Sequence, residues 1–168
     1  MCARRLRHVG IVVSNINEAL NVYENYLGCD LVTKSKILSG EYLDKLLMLK
    51  NVSIKTAILR TQDDNRIELI EYISHKGEKR KHILSNNIGA SHFAITVEDI
   101  EQLYNKRNEY NVKFLNKPLL SPDGYTKVCY AILMDECIVE LVEVLDERAR
   151  YSGGNIENKT QWKILRQE

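Results

Sequence analysis

A short pattern occurs twice in this chain. His8-Val9-Gly10-Ile11-Val12-Val13 and His92-Phe93-Ala94-Ile95-Thr96-Val97 both open on histidine, carry Ile fourth and Val sixth, and lead into a segment with helical spacing. Later in each half, Arg66-Ile67-Glu68-Leu69-Ile70-Glu71 is echoed by Ile138-Val139-Glu140-Leu141-Val142-Glu143. His8 and Glu68 are 60 positions apart and His92 and Glu140 are 48 apart, an excess the size of one inserted segment. Two copies of one unit carry the same faces to bury, so the chain is constrained to fold as two similar modules.

The first copy reads as a strand over residues 7 to 13, with Val9, Ile11 and Val13 on one face and His8, Gly10 and Val12 on the other. Glycine beside histidine on that second face is read as space kept for the imidazole. Asn15 is suited to cap a helix in which Ile16, Ala19, Leu20, Tyr23 and Leu27 recur at helical spacing, ending at Gly28. An extended stretch from Cys29 to Ile37 follows, then a break at Ser39-Gly40 and a short amphipathic helix within Glu41 to Lys50. Lys55 to Arg60 and Arg66 to Ile73 read as strands joined by the polar turn Gln62-Asp63-Asp64-Asn65.

The second copy repeats this order without the inserted helix: a strand at His92, a helix from about Ile100 to Glu109, and strands near 112–115, 126–134 and 138–145. The division expected is a first module over residues 1–74 with its helical insertion at about 41–50, a linker over 75–88, a second module over 89–146 and an extension over 147–168. The fold class is α+β, built from tandem βαβββ units.

Lysine plus arginine number 24 against 23 aspartate plus glutamate, a balance that gives no reason to expect nucleic acid or an anionic membrane as partner. No apolar run approaches the roughly 18 residues of a membrane span, and no signal-type apolar segment follows the N-terminal Met-Cys-Ala-Arg-Arg, so a cytoplasmic location is expected. Cys2, Cys29, Cys129 and Cys137 lack C-x-x-C spacing and are read as free, structural thiols.

The duplicated chemistry lies in four residues. Glu68 shares its strand face with Ile70, and Glu140 with Val142; a carboxylate among apolar neighbours needs a cation, a donor or a metal. Two imidazoles from His8 and His92 with two carboxylates from Glu68 and Glu140 form a donor set suited to one divalent ion: Zn, Ni, Co, Mn or Fe. Glu71 and Glu143 point the opposite way and are expected at solvent or at an interface. His75 and His82 fall in the polar linker and are expected to be exposed. Tyr72, Tyr125 and Tyr130 line a pocket or simply pack.

The sequence His-x-x-Ile-x-Val, a helix ending in Tyr23-Glu24-Asn25-Tyr26-Leu27-Gly28, Ile67-Glu68-Leu69, and then the second His and Glu140-Leu141 resembles the vicinal oxygen chelate superfamily. That superfamily includes glyoxalase I, methylmalonyl-CoA epimerase, extradiol dioxygenases, and fosfomycin and bleomycin resistance proteins. The resemblance runs over about residues 6 to 146. It implies paired βαβββ modules whose curved mixed sheets enclose a metal held by His8, Glu68, His92 and Glu140. It also implies a lyase or isomerase that moves a proton next to a metal-bound carbonyl or thioester, with Glu140 or Glu68 as the base, acting as a homodimer on a small molecule. Val12 and Tyr72 stand where bacterial glyoxalase I has an arginine and an asparagine that help hold glutathione, so the metal chemistry carries over better than the substrate. The other functions the resemblance implies are a small-molecule binding protein of the antibiotic-sequestering kind and an iron-dependent ring-cleaving oxygenase.

Overall fold

Strand β1 (Val9–Val12) runs parallel to β4 (Arg66–Tyr72), which continues antiparallel to β3 (Ser53–Arg60) and then β2 (Asp30–Ser39), giving the order β1-β4-β3-β2. The computed structural model describes residues 2–81 and 84–146, so the expectations for His82 and for the extension over 147–168 lie outside the described residues. A second sheet repeats the order: β5 (His92–Thr96) runs parallel to β9 (Ile138–Val144), followed by antiparallel β8 (Thr126–Ile132) and β6 (Lys113–Phe114). Helices α1 (Ile16–Leu20), α2 (Glu41–Leu47) and α3 (Ile100–Lys106) complete a mixed α+β fold. The stretch expected as a loop after Pro118 holds one further short strand, β7 (Leu119–Leu120), which shares with β6 the edge of β8 opposite β9.

The chain forms two compact units, one running to Ser91 with Leu133–Cys137 added, the other made of His92–Ile132 and the residues from Ile138 onward. In the first, β4 alternates. Ile67 and Leu69 are buried on the side that faces α1, together with Ala57 and Leu59 of β3, whereas Glu68, Ile70 and Tyr72 project from the opposite side. Each of these fully buried Ile and Leu side chains contributes about 1.5–3 kcal/mol.

Asn15 caps α1 as expected, its side-chain oxygen accepting the backbone N–H groups of Asn17 and Glu18. The helix does not stay α-helical to Leu27. From Asn21 to Tyr26 it widens into a π-helical turn, in which the Leu27 N–H reaches back to the Val22 carbonyl, and Val22, Tyr23 and Tyr26 are all buried. Gly28, at φ +72°, ends it.

The inserted α2 lies on the face of the sheet that carries Glu68. Leu43 packs with Val52 and Ile54, flanked by Leu47, Leu49, Ile70 and Tyr72, and Ile54 and Tyr72 are paired across β3 and β4. The Asp44 carboxylate closes the return to β3 by accepting the N–H groups of Asn51 and Val52 at 2.7 and 2.9 Å.

Residues Leu133–Cys137, the tip of the hairpin between β8 and β9, belong to the first unit. Asp135, at φ +56°, accepts from both the backbone N–H and the hydroxyl of Ser14, and the Tyr23 hydroxyl lies 3.8 Å from Cys137 Sγ.

In the second unit Val139 and Leu141 are buried on the α3 side of β9, with Ile100, Cys129 and Ala131. Asp99 caps α3 through the N–H of Gln102, and the helix tightens to a 3₁₀ turn over Arg107–Tyr110.

Candidate metal centre

In each unit the pairing of first and last strand determines which side chains meet. Gly10 pairs with Glu68 and Ala94 with Glu140, and each histidine stands two residues before the partner of its glutamate, on the same face. The outcome is the same in both. His8 Nε2 lies 3.2 Å from Glu68 Oε2 and His92 Nε2 lies 3.2 Å from Glu140 Oε2, with side-chain exposures of 42% and 26% in each pair. Both pairs are half-open, so a ligand can reach them.

The residues fit a metal by their chemistry and spacing. Nitrogen and oxygen donors each about 2.1 Å from a divalent ion, at an angle of about 100°, lie close to 3.2 Å apart. Borderline ions accept this imidazole and carboxylate mixture. Among the described residues, no third histidine, cysteine, aspartate or glutamate joins either pair. Each unit therefore brings together two candidate donors of its own.

The two pairs differ in one neighbour. Register places Tyr130 of β8 opposite Glu140, whereas Ile58 of β3 occupies the equivalent place opposite Glu68. The Tyr130 hydroxyl is 3.4 Å from Glu140 Oε2 and 3.3 Å from His92 Nε2, and its ring meets the imidazole edge to face at 5.0 Å. Burial and the adjacent Glu140 carboxylate hold the Tyr130 phenol above its ordinary pKa, keeping it a donor at neutral pH. The sequence alone is compatible with either a pocket or a packing role for Tyr130. The signal was available: Tyr130 and Glu140 are equidistant from Asp135, the turn residue of their hairpin, as Ile58 and Glu68 are from Asp63.

Two expectations about neighbouring positions change. Glu71 and Glu143, expected at solvent or at an interface, are half-buried and have a partner within the fold: Glu71 Oε2 accepts the N–H of Ile16 at 3.0 Å and Glu143 Oε2 that of Ile100 at 3.1 Å, so each tethers the start of its own helix. Gly10 is not required as space for the imidazole, since a methyl there would meet Ile70 Cδ1 at 3.9 Å, an ordinary contact. Ala94 already carries that methyl at the matching place. His75 is exposed, beside Ser74 Oγ.

The four cysteines are free. Burial pushes the Cys29 thiol up to about 11 and that of Cys129 up to about 12, which leaves both protonated and unreactive at neutral pH.

Residues 7–130 match the family model for the glyoxalase/bleomycin resistance protein/dioxygenase superfamily, a span that holds His8, Glu68 and His92 and stops before Glu140. The chain is 30% identical over 128 residues to the uncharacterized protein YwbC of Bacillus subtilis, covering 73% of this chain and 85% of that one. Among solved structures it is similar to a glyoxalase family protein from Bacillus cereus, with 21% identity, a TM-score of 0.79 and coverage of 87% and 97% of the two chains. It is also similar to the trypanothione-dependent glyoxalase I of Leishmania major, with 16% identity, a TM-score of 0.62 and coverage of 93% and 97%.

Proposed function

Because the chain belongs to the glyoxalase/bleomycin resistance protein/dioxygenase superfamily, we propose that it is a metal-dependent lyase or isomerase that moves a proton on the carbon next to a carbonyl. The observation that carries this reading is the repeated histidine and glutamate pair, alike in register, separation and exposure. The two modules, residues 1–74 and 89–146 joined by 75–88, would each contribute one pair, so that His8, Glu68, His92 and Glu140 together hold one Zn, Ni, Co, Mn or Fe ion. When bound, that ion supplies Lewis-acid stabilisation of the negative charge that develops on the substrate carbonyl oxygen.

The protein's own groups do the rest. His8 and His92 present Nε2, the nitrogen that faces the carboxylate in both pairs. Glu140, in preference to Glu68, takes the proton from the substrate carbon as the C–H bond breaks, and returns it as the new C–H bond forms. The apolar cluster of α2 covers Ile70 and Tyr72, at one end of the sheet face that carries Glu68. The substrate is a small carbonyl compound or thioester, and the working form is a homodimer in the cytoplasm. Free cysteines agree with that location, and among the described residues no helix is long and apolar enough to cross a membrane.

The test is elemental analysis of the purified protein, followed by a screen for solvent deuterium uptake into hemithioacetals and acyl-CoA thioesters. Stoichiometric divalent metal and uptake that Glu140→Gln abolishes, with fold and most metal retained, are the expected results. Uptake unchanged in Glu140→Gln removes this residue from the reaction. Protein free of metal points instead to a binding protein.

A further inference from the structure

The two half-sites are copies in backbone register, yet among the described residues only the second has a hydroxyl beside both its imidazole and its carboxylate. Tyr130 Oη, His92 Nε2 and Glu140 Oε2 lie at the corners of a triangle with sides of 3.2, 3.3 and 3.4 Å. Tyr130 reaches this place from the neighbouring strand, as the cross-strand partner of Glu140, so its ring is fixed by sheet register rather than by a loop. The imidazole packs edge to face on that ring at an interplanar angle of 72°, which restricts rotation of His92 about its own side chain. In the first unit Ile58 holds the same register position and offers neither a donor nor an acceptor.

We propose that Tyr130 is a positioning residue for the second half-site: its ring sets the orientation of the His92 imidazole, and its hydroxyl holds the Glu140 carboxylate in the rotamer that faces it. This rests on the reading of His92 and Glu140 as half of a metal site. A hydroxyl within reach of both donor atoms limits the number of arrangements they sample before a metal arrives, so less freedom is lost on binding. Glu68 and His8 have no such neighbour on β3, and they meet a metal less well arranged.

The test uses the full chain and Tyr130→Phe, which keeps the ring and removes the hydroxyl. In metal-free protein, the ring ¹⁵N signals of His92 should move in the variant, while those of His8 stay in place. In the wild-type ring, the ¹³Cζ signal of Tyr130 should shift on Glu140→Gln and not on Glu68→Gln, a measurement that does not depend on the Phe variant folding. Titration with Co²⁺, followed by visible absorption, should show affinity reduced by about 10–100-fold in Tyr130→Phe. Adding Tyr130→Phe to Glu140→Gln should cost less than that, because the two act through one contact. Immobile His92 signals, or losses that simply multiply in the double variant, overturn the proposal. Failure of the wild-type protein to bind Co²⁺ would end the metal reading instead, and the two metal-free measurements would still decide the role of Tyr130.

Discussion

Glu71 holds the backbone N–H of Ile16 at 3.0 Å across 55 residues of chain. The contact fixes where α1 begins relative to β4, and Glu143 does the same for Ile100 and β9 at 3.1 Å. Both carboxylates are half-buried, at the positive end of a helix. Glu71→Ala should therefore lower stability by about 1 kcal/mol in urea denaturation, with Glu143→Ala similar. Neither should alter divalent metal affinity, since both point away from the histidine face; a tenfold loss of affinity would contradict this assignment.

Two glycines of the first unit should behave differently. Gly10→Ala adds a methyl at ordinary contact distance and should change stability by less than about 0.5 kcal/mol. Gly28→Ala forces a side chain into φ +72° and should cost about 1 kcal/mol. Thermal melts of the two variants side by side give the comparison.

Stability should fall on the alkaline side. The folded state keeps the Cys29 and Cys129 thiols protonated up to about 11 and about 12, whereas the unfolded chain releases these protons near the ordinary value of 9.0. Their contribution is fully present below pH 9 and is lost as pH rises through the folded values. Denaturation under reducing conditions from pH 8 to 11 should show this slope, and Cys29→Ala with Cys129→Ala should flatten it. An unchanged slope would assign the loss to other groups.

The inserted helix is anchored chiefly by one side chain. Leu43, 9% exposed, is the buried residue of α2 and packs with Val52 and Ile54 beside the partly buried Leu47, and Leu43→Ala should cost about 2–3 kcal/mol. Faster amide exchange confined to residues 41–52 would accompany it. A loss spread evenly over the first unit would show instead that α2 is part of the global core.

Much of this architecture is legible in the residues because both halves repeat a period-2 pattern with the same polar interruptions. The alternation in Ile67-Glu68-Leu69 and Val139-Glu140-Leu141 assigns the glutamates to one face, and the histidines follow from the parallel partner strand. What composition and spacing did not reveal depends on contacts between distant segments. The Glu71 tether exists only once β4 lies against α1, and the π-helical turn at Asn21–Tyr26 arises where Val22, Tyr23 and Tyr26 are all buried. The strand β7 is two residues long, too short for any periodicity to register.

The contrast between Ile58 and Tyr130 has one more consequence. Had the two modules been separate identical chains, any change opposite one glutamate would have appeared opposite both. Joining them in a single polypeptide lets heredity alter one half and spare the other, so a tyrosine can be acquired beside Glu140 and a helix beside Glu68 independently. A chain of fused halves is free to become lopsided.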